Sequence, residues 1–220
     1  MTLNLAERKF VMGGYLDMHK AIRRQLDRII EQAASVADVE AQAIEQLQSR
    51  FGFYWEIVEH HHITEDKGFF PMLAGTDALF AGQLARLTAD HEEIDQQVLL
   101  ITNSLTAARQ SKDASLSELY FNQSLAAIRY FRELMLIHLE REEAAVMPAI
   151  TRHFSEEQQV GMETHVMTNM GVEFVSKMFP WTFEVLDDQE RAVAFNHLPE
   201  GFRVAYPEWE QAYNRGKLAL

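Results

Sequence analysis

The sequence predicts an all-α protein: an up-down-up-down four-helix bundle over residues 1–152, followed by a helical C-terminal extension over 153–220. Three observations support this fold class. Through the predicted bundle, apolar residues recur at intervals of three and four, as on one face of a helix. Glycine and proline are sparse there, and the period-two alternation of a half-buried strand is absent. Long helices joined by short connections are typical of bundles.

Four helical segments are expected, at about residues 14–34, 39–70, 76–110 and 115–153. Pro71 should break or bend the second segment because proline has no N–H to continue a helix. Thr76 and Asp77 offer an N-cap for the third segment. Ser115 with Glu118 fits a capping box at the start of the fourth.

The extension is rich in aromatic residues. Ser155 is a predicted N-cap for a helix that runs to about Met178 and stops before Pro180. Asp187 or Asp188 marks the start of a further helix. The aromatic residues are Trp181, Phe183, Phe202, Tyr206 and Trp209. We expect them to pack the extension onto the bundle; an oligomer interface, as in a homodimer, is the alternative.

Composition excludes several classes of function. The formal net charge of −13 disfavours a nucleic acid or an anionic membrane surface as the partner. The chain has no cysteine, which rules out disulfides, thiolate zinc sites and iron–sulfur clusters within it. Any metal must be held by nitrogen and oxygen, which suits iron, manganese or zinc. No stretch is long and apolar enough to span a bilayer, and the start, MTLNLAERKF, lacks secretory features, so a cytoplasmic location is expected.

One pattern occurs twice, as HHITEDKGFFPML at 61–73 and as HLEREEAAVMPAI at 138–150. In both copies a His is followed four residues later by Glu, then by a second acid, a Pro and an aliphatic residue at matched distances. The matched residues are His61, Glu65, Asp66, Pro71 and Leu73 in the first copy, and His138, Glu142, Glu143, Pro148 and Ile150 in the second. A spacing of four places His and Glu on one helix face, where both can bind one metal or the carboxylate can bridge two.

The repeat extends upstream to two further histidines. His19 lies 42 residues before His61, and His91 lies 47 residues before His138. Each half therefore supplies a lone His on one helix and a His-x3-Glu on the next, which predicts a site for two metals in the bundle. The predicted metal ligands are His19, His61, Glu65, His91, His138 and Glu142.

Two choices within this set depend on register. His60, His61 and His62 crowd one turn, and successive residues lie about 100° apart, so not all three can face the core. Only His61 keeps the ten-residue distance to Pro71 that relates His138 to Pro148. His62 is then expected beside the metal ligands and His60 in solvent. Glu143 stays an alternative to Glu142.

The order and spacing of these residues resemble the hemerythrin family, in its bacterial HHE cation-binding branch, over about residues 15–150. The resemblance implies a non-heme diiron site with two Fe ions, bridged by two carboxylates and an oxo or hydroxo oxygen. His19, His61, His91 and His138 would be nitrogen ligands, and the two glutamates would be the bridges. The small-molecule ligand would be dioxygen, nitric oxide or peroxide, bound for sensing, storage or protection.

The sequence departs from oxygen-carrying hemerythrins on the third helix, where His91 is followed at a spacing of four by Asp95 instead of a second His. Asp95, Glu92, Glu93 or water would fill the remaining place. A diiron oxidase or peroxidase acting on a small substrate is the alternative function. A ferritin-like site is disfavoured because its motif places Glu before His, and a purely structural bundle would bind no metal.

Overall fold

The computed structural model describes residues 8–36 and 39–217. These residues form helices and short connections with no strand, which confirms the all-α fold class. The helices are α1 Gly13–Ala34, α2 Ala41–Thr64, a π-helical turn Glu65–Phe69, α3 Phe70–Thr76, α4 Ala78–Gln110, α5 Ala114–His153, α6 Glu156–Asn169, α7 Val172–Phe183, α8 Asp188–His197 and α9 Glu200–Lys217. Residues 1–7, which belong to the start considered for a secretory signal, lie outside the described part. Within that part, no helix has the length and apolar composition to cross a membrane.

The chain divides into two compact units. The bundle unit comprises Ile22–Asp66 and Ala85–Arg141, and thus holds most of α1, α2, α4 and α5. The terminal unit comprises Lys67–Leu84 together with the chain before Ile22 and after Arg141. The predicted domain boundary at residues 152 and 153 stays a prediction.

The bundle unit consists of four helical segments, as predicted. Two contacts show how α4 and α5 run relative to each other. Arg141 Nη1, in the C-terminal half of α5, donates to both carboxylate oxygens of Asp90, in the N-terminal half of α4, at 3.0 Å. Ser117 Oγ, near the start of α5, donates at 2.8 Å to the carbonyl oxygen of Ala108, near the end of α4. The two helices are therefore antiparallel, as a short connection requires.

Buried residues follow each helix of the bundle unit at intervals of three and four. They are Ile22, Leu26, Ile29 and Ala33 in α1; Leu47, Phe51, Tyr54, Val58 and His62 in α2, followed by Glu65; Leu87, His91, Ile94, Val98, Ile101 and Leu105 in α4; and Phe121, Ser124, Ile128, Phe131, Met135 and His138 in α5. Phe131 packs edge-on against Phe51 and Tyr54, with ring centroids 5.6 and 6.1 Å apart. The buried positions that form the apolar core thus also include His62, Glu65, His91 and His138. These polar groups are buried because they lie on the same helix faces as the core residues.

A π-helical turn distinguishes the first copy of the repeated pattern from the second. It spans Glu65–Phe69, and α3 then begins with Pro71 in its first turn. In the second copy, Pro148 lies inside the continuous helix α5, so proline alone does not cause the π turn. Gly68 occupies the position that Ala145 holds in the second copy. Glycine is a poorer α-helix former than alanine, but Gly52 and Gly82 lie inside regular α-helices, so glycine alone does not explain the π turn either.

The N-caps of the extension agree with the sequence. Ser155 caps α6 in a reciprocal capping box with Gln158, and Asp187 caps α8 in the same way with Glu190. Each pair satisfies two backbone N–H groups that the first turn of a helix leaves without an intrahelical acceptor.

The predicted single helix from Ser155 to about Met178 is wrong. α6 ends at Asn169, and α7 starts after Gly171, whose φ of 80° lies in the left-handed region that favours glycine. α7 then continues through Pro180 to Phe183. The break therefore comes from a glycine conformation that periodicity does not reveal, and the proline is accommodated inside a helix.

Aromatic side chains hold α7 and α9 together in the terminal unit. The ring of Phe179 stacks on Trp209 with centroids 6.4 Å apart, and Phe183 lies 5.2 Å from Tyr206. Offset and tilted ring pairs of this kind add to the free energy gained from burying their area. These aromatic residues thus contribute to the core of the terminal unit.

Two side chains of α6 bind the backbone at the start of α1. Gln159 is fully buried; its Oε1 accepts from Val11 N at 2.9 Å and its Nε2 donates to the Lys9 carbonyl at 3.0 Å. Glu163 Oε1 accepts from Gly14 N at 2.6 Å. Since the first N–H groups of a helix have no intrahelical acceptor, α6 supplies acceptors that α1 lacks.

Aspartates cap the N-termini of the two longest helices, α4 and α5. Asp77 Oδ1 accepts from Leu79 N and Phe80 N at 2.8 and 2.9 Å, which confirms it as the cap of α4. At the start of α5, Asp113 Oδ1 accepts from Ser115 N at 2.8 Å, so the cap predicted at Ser115 is wrong by two residues. An aspartate directly before the helix outcompetes the serine inside it.

The carboxylate of Asp77 also contributes stability that depends on pH. Burial alone would raise its pKa, but the N–H of Phe80, the guanidinium of Arg152 and the N–H of Leu79 outweigh burial and lower the pKa to about 2. Because the folded pKa lies below the unfolded value, this stability is complete above pH ~4 and is lost as the pH falls towards about 2.

We expect Asp77→Asn to reduce the free energy of unfolding by about 1 kcal/mol at pH 7, since the amide keeps an acceptor for the cap but loses the charge. Urea unfolding at neutral and acid pH measures this, and the difference from wild type should shrink below pH ~4. Asp113→Asn is the matched control, because Asp113 is exposed and caps its helix through backbone N–H groups. A pH dependence equal in the two variants would contradict the assignment.

Candidate metal centre

Three histidines of the bundle unit form a compact nitrogen cluster. His62, His91 and His138 are buried, and one ring nitrogen of each lies within 4.8 Å of those of the other two. Nε2 of His91 is 3.1 Å from Nε2 of His138, and the ring of His62 stacks on that of His91 with centroids 4.0 Å apart. Two nitrogens each about 2.1 Å from one ion, at right angles, are about 3 Å apart. The cluster therefore fits the donor spacing of a metal site.

Glu65 faces two histidines with its two oxygens. Its Oε1 lies 3.1 Å from His61 Nε2, and its Oε2 lies 3.7 Å from His91 Nε2. The residue is only 3% exposed. A buried carboxylate whose oxygens point at separate imidazoles is suited to bind two cations at once. The bundle unit thus holds a cluster of three histidines, and the carboxylate of Glu65 lies between one of them, His91, and a fourth histidine, His61.

The terminal unit holds the other two predicted ligands, in contact with each other. His19 Nε2 lies 3.5 Å from Glu142 Oε1, and both side chains are fully buried. The hydroxyl of Tyr15 donates to the same oxygen at 2.8 Å, and its ring lies 4.2 Å from the ring of His19. Burial alone would lower the pKa of His19, but Glu142 and Glu143 outweigh burial and raise it. The negative potential that raises this pKa also attracts a metal cation, which must displace the proton when it binds the ring.

The acid that follows each glutamate in the repeat binds a histidine of another helix. Asp66 Oδ2 lies 2.9 Å from Nδ1 of His91, and Glu143 Oε1 lies 2.9 Å from Nδ1 of His19. A carboxylate on Nδ1 fixes the orientation of the ring and leaves Nε2 available to a metal, which also makes the ring a stronger ligand. Each half of the repeat therefore orients the lone histidine of the other half.

All six predicted ligands lie in these clusters. His61, Glu65, His91 and His138 come together in the bundle unit, and His19 with Glu142 in the terminal unit. The acids proposed to replace a missing histidine, Asp95, Glu92 and Glu93, are exposed.

The sequence prediction omitted His62 from the ligand set, although it is buried at 4% exposure in the histidine cluster. Comparison of the two repeat copies selected His61. The buried stripe Phe51, Tyr54 and Val58, however, continues at the next interval of four to His62. The spacing of the buried residues in α2 therefore identifies His62 as a residue that faces the core. His60 is partly buried, where solvent exposure was expected.

The chemistry of the donors and a family comparison agree. The clusters offer imidazole nitrogen and carboxylate oxygen with no thiolate, a set suited to iron, manganese or zinc. A family model described as the hemerythrin HHE cation binding domain matches residues 15–150. The chain belongs to this hemerythrin family. Its hemerythrin domain binds metal cations, and the predicted family resemblance is confirmed.

Two plant proteins are similar to the hemerythrin chain. A zinc finger protein named BRUTUS-like, from Arabidopsis thaliana, is 21% identical over 81% of this chain and 14% of its own length. The zinc finger protein BRUTUS of the same plant is 21% identical over 79% of this chain and 16% of its own length. The chain thus spans about one sixth of these relatives or less, and it has no cysteine for a thiolate zinc site. No solved structure matches it.

We expect His62→Ala to weaken cation binding at least tenfold, because it removes one of three clustered nitrogen donors. His60→Ala is the matched control on the neighbouring residue, which is outside the cluster, and should bind the cation as wild type does. Competition of the protein with a chelator for Co²⁺ measures both variants. Equal losses for His60→Ala and His62→Ala would refute the assignment of His62.

Asp66→Asn and Glu143→Gln should each lower cation affinity by roughly tenfold to a hundredfold, the usual effect of removing a carboxylate from a metal-binding histidine. The amides keep the size of the side chain and remove its charge. The same chelator competition measures the effect. Glu92→Gln and Glu140→Gln are the controls. Both acids are exposed; Glu92 lies on α4 beside His91, and Glu140 lies on α5 near Glu143. A loss in the controls as large as in the test variants would show that only net charge matters.

Proposed function

We propose that the hemerythrin domain holds two iron ions and binds dioxygen, nitric oxide or peroxide for sensing, storage or protection. The observation that carries this proposal is the position of Glu65, whose two oxygens face His61 and His91. A carboxylate shared between two histidine groups is expected of a two-metal site, where the ions lie about 3.5–4 Å apart.

We assign His62, His91 and His138 to one iron, because their nitrogens cluster. His61 and His19 are assigned to the other iron, with Glu65 and Glu142 as the bridging carboxylates. His19 and Glu142 are included because they hold the corresponding positions of the duplicated pattern. The set contains five histidines and two glutamates, so His62 fills the place that the third helix leaves open at Asp95.

Residues around the ligands would tune the centre. Asp66 and Glu143 hold the rings of His91 and His19, and the hydroxyl of Tyr15 donates to Glu142. The hydrogen bond from Tyr15 stabilises the ionised carboxylate and limits its rotation. Two ferrous ions, when bound, supply the electrons that the chemistry of dioxygen, nitric oxide or peroxide requires.

We also propose that residues 153–220 form an extension appended to the hemerythrin domain. Supporting this, the family match ends at residue 150, and helices α6–α9 follow it. The capping box at Ser155 starts a new helix directly after α5.

The proposal is tested by anaerobic loading with a ferrous salt, followed by metal analysis and absorption spectra before and after exposure to air. We expect two irons per chain, absorption in the near ultraviolet after oxidation, and bleaching on reduction. Uptake of less than one iron per chain would overturn the proposal. If oxygen consumption continues past one turnover when reductant and a small substrate are supplied, the diiron oxidase or peroxidase replaces the binding protein.

Glu65→Gln should reduce the iron content to one ion per chain or fewer, because a neutral amide cannot bridge two cations. Glu59→Gln is the matched control, since Glu59 lies on α2 and is exposed. Iron analysis of both variants after identical loading measures the effect. Wild-type iron content in Glu65→Gln would contradict a bridging role.

A further inference from the structure

A second candidate site lies in the terminal unit, at a cavity of about 50 Å³ between the start of α1 and helices α6, α7 and α8. Its apolar wall is formed by Met18, Met167, Met178, Phe179, Phe183 and Leu198. Polar groups from Asp17, Glu163, Thr182 and His197 also line it. We call it the Thr182 cavity. It has room for about four water molecules, or for an organic molecule of a few non-hydrogen atoms.

Thr182 places an unsatisfied hydroxyl at this cavity. The residue is 5% exposed, and its Oγ1 is buried and without a hydrogen-bond partner among the residues that the structure describes. A buried hydroxyl without a partner is destabilising. A ligand with a polar atom in the Thr182 cavity would satisfy it.

Two carboxylates give the Thr182 cavity negative charge. Glu163 accepts from Gly14 N at 2.6 Å, and burial raises its pKa despite the N–H groups of Gly14 and Tyr15. Asp17 lines the cavity as well. Of the basic groups near these carboxylates, Lys20 forms an ion pair with Glu190, and His197 lines the cavity itself. A cationic ligand would therefore compensate two partly desolvated charges.

The surroundings favour an organic cation over a metal ion. Among the described residues, no group of three donors close enough to hold a metal includes Asp17 or Glu163. The methionine and phenylalanine wall suits an alkyl chain, and methionine adapts to irregular shapes. An ammonium group has three N–H donors, which carboxylates and a threonine hydroxyl can accept.

We propose that the Thr182 cavity binds a small primary ammonium ion with a short unbranched alkyl chain. The ammonium group donates to Asp17, Glu163 and the hydroxyl of Thr182, and the chain packs on Met18, Met178 and Phe179. Of the three residues that accept from the ammonium group, Glu163 and Thr182 lie beyond the segment matched by the family model. The site does not depend on the diiron centre, so the failure of either proposal leaves the other standing.

The probe is n-butylammonium, compared with 1-butanol and butyrate, which have similar size and differ in charge. The full-length protein is labelled with ¹³C-methyl methionine, and the methyl resonances of Met18, Met167 and Met178 report on the cavity, with Met147 as a reference. We expect saturable shifts with a Kd on the order of 1 mM, as a ligand of five non-hydrogen atoms can reach. Butanol and butyrate should bind at least about tenfold more weakly.

Variants separate charge from shape. Glu163→Gln should weaken n-butylammonium binding by about tenfold, and Thr182→Val by about fivefold, the usual effect of one lost hydrogen bond. Glu157→Gln, an exposed acid on the same helix as Glu163, should leave it unchanged. Unfolding midpoints verify that each variant folds. If Glu163→Gln does not fold, Thr182→Val decides alone.

Three results would overturn the proposal. One is the absence of methyl shifts at roughly ten times the expected Kd. Another is binding of butanol as tight as that of n-butylammonium, which would indicate an apolar cavity only. The third is displacement of n-butylammonium by Mg²⁺ at equal concentration, which would indicate a metal site.

Discussion

Burial of ionisable side chains on the core face of the helices is the constraint on which this molecule depends. His62, His91 and His138 occupy the same stripe as the apolar core of the bundle unit, and Glu65 follows His62 at the next interval. A buried carboxylate is strongly destabilising unless it is paired. A metal cation compensates several such groups at once, so its binding energy becomes folding energy. A rotation of one helix by a single residue would move a donor about 100° away from the interior, so the same constraint fixes the register of the helices.

Neighbouring acids in the repeat have different tasks because of helix geometry. Residues at successive positions lie about 100° apart. Glu65 therefore faces the interior while Asp66 reaches sideways to His91 on another helix. Glu142 and Glu143 divide in the same way around His19, one near Nε2 and the other at Nδ1. A pair of adjacent acids thus serves both as a ligand and as the support of a ligand on the neighbouring helix.

The sequence was sufficient for the fold class and for most of the buried donors, because both follow from spacings of three and four. It was insufficient for the choice between neighbouring histidines, where repeat register and the spacing of buried residues disagreed. Repeat register selected His61, whereas the buried stripe that includes Val58 leads to His62. The role of Asp66 could not be derived, since no local pattern states which histidine lies beside it. The π turn at Gly68 and the break at Gly171 depend on backbone conformations that periodicity does not encode.

The backbone contacts of Gln159 and Glu163 have a consequence for how the protein can be divided. The N–H groups at and just before the start of α1 find their acceptors in α6, beyond the segment that defines the hemerythrin family in this chain. A fragment that keeps the start of the chain but ends at residue 150 would lack α6, and it would leave these N–H groups without those acceptors, close to His19. The limit of the family match and the limit set by these hydrogen bonds therefore do not coincide, and a fragment that preserves the backbone contacts at the start of α1 must include α6.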